Sequence, residues 1–127
     1  MSSILGSACA GMTAASKQAE VAAQNIVNIG NTGEAGKNEA YKALEAVQTT
    51  NSDGTPDVSV QERNPSTVVI AAPGSPLAGI GGLVESPNVE LATEMVNQHI
   101  AVNNYKASVK MFEIWDEMQK TTLDIAS

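Results

Sequence analysis

At 127 residues the chain has room for one domain, which at this size buries about two-thirds of the surface that its unfolded form exposes. A formal charge of −7, with seven basic residues against fourteen acidic ones, leaves too few cations to track a nucleic-acid backbone or to hold an anionic lipid surface. The single cysteine, Cys9, excludes an internal disulfide and a cysteine metal cage, and no run reaches the roughly eighteen apolar residues of a membrane-spanning helix.

Residues 1–30 read as a first helix. Ile4, Ala8, Met12, Ala15, Ala19, Ala22, Ile26 and Ile29 recur at steps of three and four, which aligns them on one helical face. Ser2 or Ser3 is placed to cap it by accepting from first-turn amides, and it is expected to run to about Asn28, where Gly30, Asn31, Thr32, Gly33 and Gly36 follow. Such a helix is about 40 Å long, more than a small core needs. Its only charges are Lys17 and Glu20, and an uncharged exterior of small residues suits close approach by neighbouring protein. Cys9 reads as a small buried or partly buried filler. Residues 1–10 lack the basic start and leucine-rich core of a secretory signal, so the expectation is a chain that remains cytoplasmic or leaves without a cleaved leader.

Residues 31–85 are rich in turn formers. Tyr41 to Thr50 permits a strand with Tyr41, Ala43 and Val47 on one side, although Leu44 and the alanines also allow helix. Asn51-Ser52-Asp53-Gly54 reads as a tight turn and Val58 and Val60 as a returning strand, giving a small hairpin. Thr67 to Ala72 is a short β-branched run, and the prolines and glycines from Pro73 to Gly82 predict an extended, irregular path.

Residues 86–127 form the second predicted helix, opening at Ser86-Pro87-Asn88 with Ser86 or Asn88 as cap and with Glu90 and Glu94 near its positive end. Leu91, Met95, Val102, Tyr105, Val109 and Phe112 make one apolar stripe. Ala107, Met111, Ile114, Met118 and Ile125, with Leu123 close by, make another. Two stripes imply two packing partners: the first, Leu91 to Phe112, is expected to pack on the Ile4–Ile29 face of the first helix, and the second, Ala107 to Ile125, to face neighbouring chains. Asp116 and Lys120 are spaced for a favourable pair, worth about 0.2–0.5 kcal/mol. The expected fold is mainly α: long terminal helices around a small hairpin and loop segment. Alanine supplies much of the 43% hydrophobic content, and burying alanine gains little, so a single copy should be marginally stable.

Candidate chemistry is sparse. His99 is the only histidine, and a Cys9–His99 site would need the two helices to bring them together, with no strained turn to present a nucleophile. Asp116 and Glu117 point about 100° apart on a helix and cannot act as a carboxylate pair. Gly79, Gly81 and Gly82 lack the spacing and the following cation of a phosphate-binding loop. No catalytic, cofactor-binding or metal-binding residue is assigned, and an interaction role is expected; a cytoplasmic helical adaptor or export chaperone also fits a small acidic chain.

Several segments, taken in order, resemble the bacterial flagellar basal-body rod and hook family. They are Ser7 to Ala14, then Val21 to Ile29 with Asn25 and Asn28, then Asn31-Thr32-Gly33 separated from Tyr41-Lys42-Ala43 by an insertion from Glu34 to Ala40. Pro73-Gly74-Ser75-Pro76-Leu77-Ala78, Gly82-Leu83-Val84, Pro87-Asn88-Val89, the stretch on to Val96, Ala101, Tyr105 and Met118 to Leu123 continue the likeness. Gln98 and His99 stand where this family usually has apolar residues, and Asn103 where it often has arginine. The insertion and the short middle are similar to the small proximal-rod type, with a second proximal-rod type as the nearest competitor within the family. The resemblance implies terminal helices paired as a coiled coil and a place in the torque-transmitting shaft. It implies copies of the chain and other rod proteins as partners, and passage through the flagellar type III export apparatus.

Overall fold

A computed structural model of the chain describes residues 2–127. In order it contains α1 (Ser2–Val27), β1 (Gly33–Glu34), β2 (Leu44–Thr50), β3 (Pro56–Glu62), β4 (Thr67–Ala71), β5 (Leu83–Pro87) and α2 (Leu91–Ala126). The fold is mainly α, with two helices and a small antiparallel β part.

The hairpin forms where turn chemistry and alternation agree. β2 pairs with β3 from Leu44↔Glu62 to Thr50↔Pro56. Its turn is closed by the Asp53 carboxylate, which accepts from the Thr55 amide (3.0 Å) and hydroxyl (2.6 Å), while Gly54 takes φ +85°, open to glycine at no steric cost. The Thr55 hydroxyl and amide hold the Asp53 carboxyl below the usual carboxylate range.

The second sheet departs from the sequence expectation. It has the order β1-β5-β4, all antiparallel, and neither β1 nor β5 was foreseen. Glycines 79, 81 and 82 mask the signal just before β5, yet Val84 is buried between Glu34 of β1 and Ile70 of β4. This pairing also moves the start of α2. Ser86 and Pro87 lie in β5 opposite Val68 and Thr67, so the helix begins at Leu91 with Glu90 at the cap and no side-chain cap bond. At the other end of the chain, α1 already contains Ser2 and Ser3, so neither precedes it as a cap, and Met1 lies outside the described residues.

α1 presents two adjacent faces to the rest of the molecule. Ala8, Ala15 and Ala22, seven apart, are buried toward α2, and about a quarter-turn away Ala14, Val21 and Asn25 are buried toward the hairpin. The Lys17 ammonium donates to the Val58 carbonyl (3.1 Å), and the Gln18 amide donates to Gln48 (3.0 Å). These contacts lay the hairpin along the helix.

All elements meet at one junction. The Asn25 side chain, fully buried, donates to the Leu44 carbonyl (2.9 Å) and accepts from the Leu44 amide (2.9 Å) and the Tyr41 hydroxyl (3.1 Å). One residue earlier, the Ala43 amide donates to the Ser66 carbonyl (3.0 Å), which also accepts from the Asn88 amide (3.0 Å). The Ala43 carbonyl accepts from the Arg63 amide (2.7 Å). The Arg63 guanidinium donates to the Asn88 carbonyl (2.7 Å) and to the Glu94 carboxylate (2.6 Å), the latter only 1% exposed in the first turn of α2. The end of α1, the start of β2, the 63–66 loop and the start of α2 are thereby tied together. Every buried polar group named here has a partner, as an interior requires.

Two outcomes follow. Asn25→Ala leaves the Leu44 amide and carbonyl without partners, at about 1–3 kcal/mol each; urea unfolding should show the loss, while Gln24→Ala on the exposed side stays within about 0.5 kcal/mol. Burial, and secondarily the Glu94 carboxylate, push the Tyr41 hydroxyl above its ordinary pKa. Its contribution to stability is complete below about pH 10 and is lost as pH rises through the raised folded value, so Tyr41→Phe should flatten the alkaline limb of a stability–pH curve.

Candidate assembly surface

The contact between the helices is built from small residues. α1 and α2 run antiparallel, with Ala22 near Asn97 and Ile100, Ala15 near Ala101, and Gly11 beside Ser108. A methyl group added at Gly11 would run into the Ser108 hydroxyl, so the backbones approach closely there. On α2 the inward residues are Glu94, Ala101, Ser108 and Trp115, again seven apart. The Trp115 indole N–H is enclosed without an acceptor among the described residues, and its ring stands 5.8 Å from that of Phe112.

The apolar stripes read from the sequence fall differently on the two helices. On α1, Ala8, Ala15 and Ala22 are buried, while Ile4, Met12, Ala19, Ile26 and Ile29 are half-buried around them. The first α2 stripe was expected to pack on this face. Instead it is rotated by roughly 80° from the seam. Val109 is half-buried, and Leu91, Met95, Val102, Tyr105 and Phe112 are between 38% and 51% exposed. The physical reason is size: alanine and serine admit a second helix at short range, and bulky side chains at the seam would hold it off. The second stripe is also outward, with Met111, Ile114 and Met118 each over 40% exposed and Leu123 at 68%. The chain therefore presents two apolar faces along α2, in rows of neighbouring exposed side chains rather than singly.

Cys9 is exposed rather than buried, because its neighbour Ala8 occupies the seam and the next helical position turns outward. His99 shares a shallow groove with Met95, Gln98 and Val102, about 13 Å along α2 from the level of Gly11 and about 16 Å from that of Cys9. The two side chains are not brought together. Among the described residues no three His, Cys, Asp or Glu side chains gather as a metal site would need, and no helix is long and apolar enough to cross a membrane.

Sequence comparison gives this surface a context. A family model described as the C-terminal part of flagellar basal body rod FlgEFG proteins matches residues 80–125, spanning β5 and nearly all of α2. The flagellar basal-body rod protein FlgC of Escherichia coli O157:H7 is 33% identical over 129 aligned residues, covering 96% of this chain and 92% of that protein. The FlgC protein of Salmonella typhimurium strain LT2 matches to the same extent. The chain belongs to the FlgC family of flagellar basal-body rod proteins.

The positions that carried the resemblance are spread through the FlgC-type fold. Asn25 and Tyr41 meet in the junction, and Asn88 binds the 65–66 carbonyls beside half-buried Val89. Asn28 donates to the Gln24 carbonyl (2.8 Å) just past α1, and the exposed Asn31 accepts from the Tyr41 amide (3.0 Å). Pro73 lies against Gly82, while Gly74 and Pro76 are exposed in the intervening turns. The insertion from Glu34 to Ala40 starts in β1, is braced by a Lys37–Glu34 pair (2.7 Å) and ends in buried Ala40. Arg63, the partner of Glu94, was missed in the sequence. Its one signal was to be the only arginine among the basic residues.

Because a side chain added at Gly11 would meet Ser108, Gly11→Val should cost about 1–3 kcal/mol through overpacking. Ala107→Leu, on the exposed side, should stay within about 0.5 kcal/mol in the same denaturant titration.

Proposed function

We propose that this FlgC-family chain is a structural subunit of the proximal rod, built in through the outward faces of its two helices, with the hairpin and the three-stranded sheet as the outer part. The observation that carries this reading is the exposure of both α2 stripes from Leu91 to Ile125 beside a helix-to-helix seam that small side chains dominate between Glu94 and Trp115. Apolar side chains left in water by one copy gain about 25 cal/mol per Å² when neighbouring subunits cover them. Stability in the shaft would then come largely from assembly, by mass action among copies and other rod proteins.

Within each subunit the helices pair as an antiparallel two-stranded coiled coil. The seven-residue step on both sides of the seam supports this, since that period keeps two helices in register over their length. The shaft would cross the periplasm and carry torque, and its subunits would travel through the flagellar type III export apparatus. A narrow export path suits a chain whose single copy is held by one polar junction and a thin alanine seam. Cofactors and catalysis have no part in this role.

Met95→Asp places a charge on the exposed first stripe, 51% accessible in the single copy. The substituted chain should fold as before yet fail to enter basal bodies, and complementation of a deletion strain on soft agar should give no swimming halo. Normal motile flagella built from that variant would show that this face does not pack in the shaft.

A further inference from the structure

The side of the helix pair away from the hairpin carries a groove of about 510 Å³. Its floor is Ala15, Ala19 and Ala101, and its wall on α2 is Val102, Tyr105 and Val109. Lys106 and Lys110 stand on the rim; Lys110 is paired with Glu113 (3.2 Å), and Lys106 has no ion-pair partner among the described residues. Ser16 and Glu113 complete the lining, but the Ser16 hydroxyl is spent on the Met12 carbonyl (2.9 Å) and Glu113 on Lys110, so this floor of methyl groups suits a helix laid against it better than a small polar ligand.

The far end of α2 has the matching features. Gly11 lies beside Ser108, so nine residues back along α1 to Ser2 correspond to nine onward along α2 to Glu117. From there α2 runs on about 13 Å past the level of Ser2. Ile114, Met118, Thr121 and Ile125 follow one another at helical steps along this end, and Ile125 is 82% exposed. Beside that stripe Glu117 and Asp124, seven apart, carry negative charge with no ion-pair partner among the described residues, whereas Asp116 is held by Lys120 (2.8 Å).

Resting on the rod reading above, we propose that the end of α2, from Ile114 to Ile125, docks in the Ala15–Ala101 groove of a second copy, with Asp124 or Glu117 meeting Lys106. The apolar stripe fills the alanine floor and the acidic flank meets Lys106 on the rim. Groove and tail are different surfaces of the same chain, so the contact is heterologous. Each copy gives its tail to one neighbour and receives the tail of another. A rotation that does not close produces an open helical series of the kind a shaft needs.

The test is disulfide trapping in the full chain, with Cys9→Ser removing the native thiol and Ser16→Cys and Ile125→Cys placed in one polypeptide. Within a copy, position 125 lies about 33 Å along α2 from the level of position 16, so a disulfide between them must join two copies. Oxidised basal bodies should yield a ladder of dimers, trimers and higher species, as should the purified chain at high concentration. Adding Lys106→Glu should reduce the ladder several-fold, and adding Asp124→Lys or Glu117→Lys to that variant should restore it. Basal bodies that contain the chain but give only monomers, or only dimers, overturn the docking and leave the rod reading intact. If the chain is absent from basal bodies the rod reading fails, and the purified chain alone decides the docking by ladder or monomer.

Discussion

The buried side chain of Asn25 does for the start of β2 what a neighbouring strand would do. It gives the Leu44 amide an acceptor and the Leu44 carbonyl a donor, and it gathers the Tyr41 hydroxyl as well. Without it the last buried turn of α1 would face two unpaired backbone groups, each costing more than an alanine contact returns. The rest of the arrangement depends on this point. From Ala43 the bonding passes to Ser66, Asn88 and Arg63, and Arg63 brings in Glu94, so both helices are oriented at one end of the molecule.

Away from that end the structure thins out. Ala8, Ala15, Ala22 and Ala101 allow the helices to lie close, but their burial removes little apolar area from water. The bulky side chains of α2 instead face outward in two stripes. A polar junction that fixes direction, a slender seam and exposed apolar flanks are together what the proposed packing among neighbours in the shaft would complete. A packed single-domain protein distributes its residues the other way, with leucine and isoleucine inside.

Some of this was readable from the residues alone. The period of α1, the Asn51–Gly54 turn and the Thr67–Ala71 strand are local signals, and each lies where local chemistry places it. The seam on α2 was not readable, because a search for apolar stripes selects Leu91, Met95 and Tyr105 and passes over Glu94, Ala101 and Ser108. What decides the seam is volume, and hydrophobicity does not report it. β5 was hidden by the glycines before it and by Pro87, and its partners Glu34 and Ile70 are distant in sequence. Asn25 was singled out by family likeness but not by function; an asparagine next to the buried alanine stripe was itself a sign of a required polar partner. The outward placement of Cys9 follows from a seam whose phase was fixed only by α2.

Hydrogen exchange on the free, purified chain tests the central claim most directly, because it reports the stability of each segment separately. The slowest amides should be Leu44, Ala43, Arg63 and Asn88 at the junction, with protection falling along α2 until the turns beyond Glu117 exchange near the rate of an open chain. Uniform strong protection along α2 to its end, or rapid exchange at Leu44, would contradict a fold held at one polar junction and finished by assembly.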